Sequence, residues 1–78
     1  MRRRRRAADP AREELTSEQR AALELLERAD GHLPGAAWLV GRVTAQSVVR
    51  RRLVFVMDQL VFLTDAGREA LIRERELG

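Results

Sequence analysis

Two short apolar runs constrain the fold of this chain more than any other feature of its sequence. Residues 53–56 and 60–63 consist of leucine, valine and phenylalanine, and Met57, Asp58 and Gln59 separate them. β-Branched and aromatic residues fit a pleated, half-buried surface, and two such runs with a short break between them are typical of a tight antiparallel hairpin. We therefore predict a β-hairpin whose turn carries no basic residue.

Helix signals lie on both sides of this hairpin. Thr16 can cap a helix, with Gln19 at the reciprocal capping-box position, and apolar residues at helical spacing follow. Thr64 similarly begins a last helix, with Asp65 in its first turn, where the helix dipole favours a negative charge. These patterns predict a first helix over residues 17–29 and a C-terminal helix that begins at Asp65.

A short apolar block at residues 36–40 predicts a second helix of one or two turns, after a connector formed by residues 32–35. Trp38, the only tryptophan, is expected to anchor the core, and the alternative is an exposed platform for stacking bases. His32 has no second histidine or cysteine with which to share a metal, so we expect a surface or capping role for it.

A third helix is predicted directly before the hairpin, with Thr44 as its N-cap and residues 45–51 in the helix. At 100° per residue, its two sides differ in polarity. The polar side carries Gln46, Ser47, Arg50 and Arg51, and the apolar side carries Ala45, Val48 and Val49. The apolar side of such a helix can pack against the rest of the domain, while the hydrogen-bond donors on its polar side enter the major groove of DNA. An ordinary solvated face is the alternative interpretation.

The positive charge of the chain is concentrated at its N-terminus. The chain has 78 residues and a formal net charge of +3, and all 15 of its basic residues are arginine. Residues 2–6 are five consecutive arginines, so the remainder has ten basic and twelve acidic residues and a formal charge of −2. Attraction to a polyanion must therefore come from this run and from the local cluster of Arg42, Arg50, Arg51 and Arg52.

The N-terminal segment, residues 1–14, has almost no apolar side chain to bury, and Asp9-Pro10 interrupts it. We expect a disordered arm over residues 1–14 and one domain over residues 15–78. The arm either contacts DNA phosphates or the minor groove, or serves only as a solubilising terminus. The side chains that would make these contacts are Arg2, Arg3, Arg4, Arg5 and Arg6.

Three segments, taken in order, resemble the DNA-binding domain of MarR-like and PadR-like bacterial transcription regulators. Leu-Thr-Asp-Ala-Gly-Arg-Glu-Ala-Leu at residues 63–71 is similar to the Leu-Thr-x-x-Gly-Arg-x-x-Leu segment that follows the wing in those families. Residues 15–23 resemble their first helix, and residues 44–54 resemble their recognition helix running into the wing. The resemblance implies an α+β, mainly α fold, a winged helix-turn-helix with three helices, a two-stranded β-hairpin and a C-terminal helix.

Two departures from those families make this a minimal winged helix. The turn between the strands is short and lacks a basic tip, and long terminal dimerisation helices are missing. Small phage and mobile-element proteins of high-GC bacteria have winged helices of this kind. Winged helices also serve as protein-interaction modules, so the fold alone does not decide the function.

From these features we predict sequence-specific binding of double-stranded DNA, by a small transcriptional regulator or a mobile-element accessory protein. Base edges are expected to contact Gln46 and Ser47, and base edges or phosphates to contact Arg50 and Arg51. Phosphates beside the helix are expected to contact Arg42, Thr44 and Arg52. The alternative is a winged-helix protein-interaction module, in which the apolar hairpin binds a second copy or a protein partner.

We do not expect catalysis from the residue types that the chain contains. The chain has one histidine and no cysteine, tyrosine or lysine, so neither an activated nucleophile nor a metal site can be assembled, and no cofactor is implied. No apolar run approaches the length of a membrane span, and no secretory signal follows the arginine run. We therefore expect a cytoplasmic protein with no membrane partner.

Deleting residues 2–6 tests the role of the arm. We expect an unchanged melting temperature and a shallower slope of log affinity against log salt concentration, because the shortened protein neutralises fewer phosphates and releases fewer counterions. Fluorescence anisotropy with a duplex at several salt concentrations measures the slope. An unchanged slope would show that the arm does not touch phosphate.

Overall fold

The computed structural model describes residues 14–77 and shows a small α+β fold, as the sequence predicts. Within these residues, three α-helices cover one face of a three-stranded antiparallel sheet. In chain order the elements are α1 (Ser17–Arg28), β1 (His32–Pro34), a 3-10 turn (Gly35–Ala37), α2 (Arg42–Arg50), β2 (Val54–Met57), β3 (Leu60–Leu63) and α3 (Asp65–Leu77). The predicted arm lies outside the described residues except for Glu14. No helix of this part of the chain is long and apolar enough to cross a membrane.

The first predicted helix is confirmed, including its cap. The Gln19 N–H donates to Thr16 Oγ1 at 3.0 Å, and the Thr16 N–H donates to Gln19 Oε1 at 3.0 Å, so the capping box is formed. After Arg28, the Gly31 N–H donates to Leu26 O at 2.8 Å, and Gly31 adopts a φ of 100° that favours glycine. α1 therefore ends one residue before its predicted end.

The β-hairpin is also confirmed, and its turn is tighter than the sequence suggests. In the antiparallel pair β2–β3, Met57 lies opposite Leu60, so Asp58 and Gln59 alone form the turn. Both turn residues have positive φ, 53° and 65°, as in a type I′ turn, whose twist matches that of the strands. Met57, predicted in the turn, is the last residue of β2.

A third strand joins the sheet where the sequence predicts a connector. β1 (His32–Pro34) pairs with β3 in antiparallel orientation, which gives the strand order β1-β3-β2. The connector prediction for residues 32–35 is therefore wrong over the first three of them. A three-residue strand that ends in proline carries no alternation long enough to detect, and only its pairing with β3 defines it.

The predicted second helix, over residues 36–40, is wrong. A single 3-10 turn, Gly35–Ala37, takes its place, and Trp38 leaves it with φ −88° and ψ 86°. Five apolar residues are too few to offset the cost of nucleating an α-helix. Trp38 is nevertheless a core anchor, as predicted, because it is buried and its indole N–H donates to Ala22 O at 2.9 Å.

The core lies between the helices and the inner face of the sheet. Its buried apolar residues are Ala22, Leu23, Leu26, Trp38, Val48, Leu53, Val54, Val61, Leu63, Ala70 and Leu71. The strand register places Val54, Val61 and Leu63 on this inner face and the alternate residues on the outer face. None of the described polar or charged side chains is buried, so apolar packing holds this core together.

α3 crosses the base of the hairpin at Gly67, where no larger residue fits. Thr64 Oγ1 accepts from the Gly67 N–H at 3.0 Å, as its predicted N-cap role requires, and donates to Arg52 O at 2.8 Å. A Cβ on Gly67 would collide with the carbonyl oxygen of Leu53 and would lie 2.6 Å from Leu63 Cδ1. The close packing of α3 on the hairpin therefore requires a glycine at this position of the Leu-Thr-x-x-Gly-Arg segment.

An ion pair joins the far end of α3 to α1. Arg75 Nη1 donates to Glu27 Oε2 at 3.0 Å and Arg75 Nη2 to Glu27 Oε1 at 2.5 Å. This hydrogen bonding lowers the pKa of the Glu27 carboxyl group and raises the pKa of Arg75. Because both side chains are partly exposed to solvent, which screens their charges, the pair adds little to the free energy of unfolding.

Gly67→Ala tests the close approach of α3 to the hairpin. The atom that a new methyl group would meet is a backbone oxygen, which cannot rotate away, so we expect a loss of roughly 2–4 kcal/mol in the free energy of unfolding. Gly41→Ala is the matched control, because a Cβ there meets nothing within 4 Å. Its expected cost is under about 1 kcal/mol. Urea denaturation followed by circular dichroism measures both losses, and equal losses would contradict the packing argument.

Candidate nucleic-acid interface

α2, the helix predicted to contact DNA, begins three residues before its predicted start. Gly41 is the N-cap, with φ −61° and ψ 150°, and Thr44 lies in the first turn of the helix. The N-cap prediction for Thr44 is therefore wrong. Val48 is fully buried and Ala45 packs against the core, as predicted. The residues that extend the helix toward its N-terminus are Arg42, Val43 and Thr44, and none of them is buried.

The exposed face of α2 carries one line of polar side chains. Arg42, Gln46 and Arg50 follow one another at intervals of four residues, and all three are exposed. Val43, which is 79% exposed, and Val49, which is 42% exposed, lie on either side of this line. Val49 is therefore less buried than the sequence predicts. We call Arg42, Gln46 and Arg50 the polar line of α2.

Ser47 and Arg51 face α1, and the prediction that they share the free face of Gln46 is wrong. Ser47 Oγ accepts from Gln19 Nε2 at 2.9 Å and donates to Thr44 O at 2.7 Å. Arg51, the residue after the helix, donates from Nη1 to Gln19 Oε1 at 2.9 Å. Both side chains are half-buried. They hold α2 against α1, which leaves the opposite side of the helix free for a ligand.

Gln19 is the residue of this site that the sequence analysis missed. Its Oε1 accepts from the Thr16 N–H and from Arg51, and its Nε2 donates to Ser47. One amide group therefore links the cap of α1 to the C-terminal half of α2. The capping box was the signal that the sequence offered for Gln19. The contacts with Ser47 and Arg51 span 28 and 32 residues and depend on the tertiary fold.

Positive charge continues past the end of α2. Arg52 is exposed and has a φ of 61°, so the chain turns sharply between the helix and β2. At the other end, Glu18 lines a small hollow together with Gly41 and Thr44. The acidic side of this surface is therefore toward α1, and the basic side lies along the polar line and Arg52. The arginines at positions 2–6 lie outside the described residues.

A shallow apolar hollow separates α2 from the hairpin. Trp38, Ala45, Val49 and Val56 line it, together with Gln46 and Arg50 of the polar line. Hydrogen-bond donors therefore stand directly beside apolar side chains. The edges of adjacent base pairs in the major groove present the same mixture, hydrogen-bonding groups beside the methyl group of thymine.

Comparison with known proteins gives no relative from which to transfer a function. No family model, no curated protein sequence and no solved structure matches the chain.

Substitutions of Gln19 test the link between α1 and α2. Gln19→Ala removes the capping-box partner and the shared partner of Ser47 and Arg51, so we expect a loss of about 1–3 kcal/mol in the free energy of unfolding. Gln19→Glu is the matched control, because a glutamate at this position keeps the capping box and accepts from Arg51. Thermal and urea denaturation measure both. A Gln19→Ala protein as stable as the unchanged chain would contradict this link.

Proposed function

We propose that this protein binds double-stranded DNA sequence-specifically through α2, as a minimal winged helix-turn-helix domain in a small transcriptional regulator or a mobile-element accessory protein. The observation that carries the proposal is the polar line, Arg42, Gln46 and Arg50, on the side of α2 that faces away from the body. The function is binding, without catalysis or a cofactor.

The dimensions of the polar line suit the major groove. With a rise of 1.5 Å per residue, its first and last residues are about 12 Å apart along the helix axis, which corresponds to about three or four base pairs. Arg50 is suited to the two acceptors of guanine and Gln46 to the acceptor and donor of adenine. Val43 and Val49, which flank the line, are suited to thymine methyl groups.

The start of α2 is suited to a phosphate group. Gly41 has no side chain with which to accept a hydrogen bond from the first turn, and no acidic residue lies in that turn. Glu18 of α1 lines a hollow with Gly41 and Thr44, so a phosphate would approach from the side away from α1. Arg42 stands at the same end. Exposed N–H groups, the positive end of the helix dipole and a guanidinium group together favour an anion. We therefore place Arg42 at the DNA backbone and the rest of the polar line in the groove.

The tip of the hairpin is not part of the proposed DNA surface. Asp58 is one of its two turn residues and is exposed, so a phosphate beside it would be repelled. A second proposed function follows from the same hairpin, because Phe55, Val56 and Met57 are exposed apolar residues. Such a surface favours a protein partner. The DNA surface and this partner surface would then meet at Val56, which lines the hollow beside the polar line.

The test compares two double variants with the same loss of charge. A binding site is first selected from random-sequence duplexes with the full chain. Arg42→Ala/Arg50→Ala removes two residues of the polar line, and Arg28→Ala/Arg73→Ala removes two exposed arginines of α1 and α3. We expect affinity for the selected duplex to fall roughly 10- to 1,000-fold for the first pair and less than about threefold for the second.

Circular dichroism establishes that both double variants are folded. Equal losses in the two would mean that net charge, not the polar line, attracts the duplex. Failure to select any duplex would refute the proposed function itself. If Gln46→Ala relaxes the preference at one base pair while Arg42→Ala weakens binding to all sequences alike, the assignment of base and phosphate contacts is correct.

A further inference from the structure

Four of the six residues around the hollow between α2 and the hairpin are apolar. The six residues are Trp38, Ala45, Gln46, Val49, Arg50 and Val56. Val49 is 42% exposed and Val56 is 55% exposed, so both present apolar surface to solvent. None of the six is acidic, so no carboxylate lines the hollow and repels the phosphates of a nucleic acid. The hollow therefore suits an uncharged, apolar group.

The shape and chemistry of the hollow limit what can enter it. The hollow is shallow, so it covers a group that projects from a ligand and does not enclose a whole base. The indole N–H of Trp38 donates to Ala22 O, and the other three apolar side chains have no donor or acceptor. A polar group packed against them would lose water without gaining a partner, whereas a methyl group gains by leaving water. The only apolar group that a base presents in the major groove is the C5 methyl of thymine.

Gln46 and Arg50 determine which methyl group lies near the hollow. Both residues line it, and they are four residues apart on α2. Their separation along the helix axis is about 6 Å, which is less than two base-pair steps of about 3.4 Å. When Arg50 contacts a guanine, the base pair next to that guanine is therefore within reach of Gln46 and of the hollow.

We propose that the hollow binds the C5 methyl group of a pyrimidine in the base pair next to the guanine that Arg50 contacts. This inference rests on the proposed function, since α2 must lie in the major groove before a base can reach the hollow. The methyl group packs against Val49, Val56 and the aliphatic stem of Arg50. Thymine and 5-methylcytosine carry the same methyl group, so methylation of a cytosine at this position strengthens binding.

Gln46 is compatible with both sources of the methyl group. Thymine pairs with adenine, whose N7 and N6 groups match the amide of Gln46. 5-Methylcytosine pairs with guanine, and there the amide can accept from cytosine N4 or donate to guanine O6. Gln46 is exposed, so its amide has room to turn. The methyl group, not the rest of the pyrimidine, is therefore what the hollow recognises.

Val43, on the other side of the polar line, has no such surroundings. It is 79% exposed and does not line the hollow. A methyl group beside Val43 loses less contact with water than one in the hollow, and it gains less. Removal of one methyl group from water changes affinity by about three- to fivefold, which sets the size of the effect expected in the hollow.

Fluorescence anisotropy with modified duplexes tests this inference. The starting duplex is the one selected with the full chain, and the base preference that Arg50→Ala loses identifies the guanine. In each base pair next to this guanine, uracil replaces thymine or 5-methylcytosine replaces cytosine, and either change alters the C5 methyl group alone. At one of the two pairs, we expect affinity to be about three- to fivefold higher with the methyl group than without it. The two kinds of duplex distinguish thymine from methylated cytosine as the source of the methyl group.

Val49→Ala and its matched control Val43→Ala test whether the hollow is responsible. Both remove two methyl groups from an exposed valine of α2, and alanine favours a helix. The methyl effect should fall below about twofold in Val49→Ala and stay at about three- to fivefold in Val43→Ala. Equal methyl effects in the two variants, or none at either base pair with the unchanged chain, would overturn this inference while binding of the selected duplex still supported the proposed function. Failure to select any duplex would refute both.

Discussion

The pairing of β3 with strands on both of its sides fixes most of the remaining structure. Because side chains alternate between the faces of a strand, the register that sets Phe55 opposite Phe62 turns Val61 and Leu63 inward and both phenylalanines outward. A slip of one residue would exchange the two faces and expose the core. The turn at Asp58 and Gln59, two residues that both have positive φ, prevents that slip. A two-residue turn of this type joins the strands in one register only.

On that sheet, a few contacts decide the rotation of α2 about its axis. Val48 is buried, and the side chains of Ser47 and Arg51 are bonded to Gln19 of α1. The helix cannot rotate without exposing the valine and breaking both hydrogen bonds. The polar line is therefore presented on a fixed support. A fixed presentation favours a ligand, since ordering flexible side chains and segments on binding costs free energy.

The proposed DNA surface and the apolar hairpin differ in composition. The polar line of α2 carries arginine and glutamine, whereas β2 carries only apolar residues.

The sequence by itself determined the elements whose stabilising contacts are local. The capping box at Thr16, the hairpin and the cap at Thr64 are all where the residues predict, because their hydrogen bonds and alternation involve near neighbours along the chain. Only the tertiary structure decided that His32–Pro34 forms β1, that α2 begins at Arg42 instead of after Thr44, and that Ser47 and Arg51 bind α1. The physical reason is the sequence distance between the contacting residues. The pairing of β1 with β3 and the hydrogen bonds of Gln19 with Ser47 and Arg51 join residues far apart in the sequence, so no local pattern contains them.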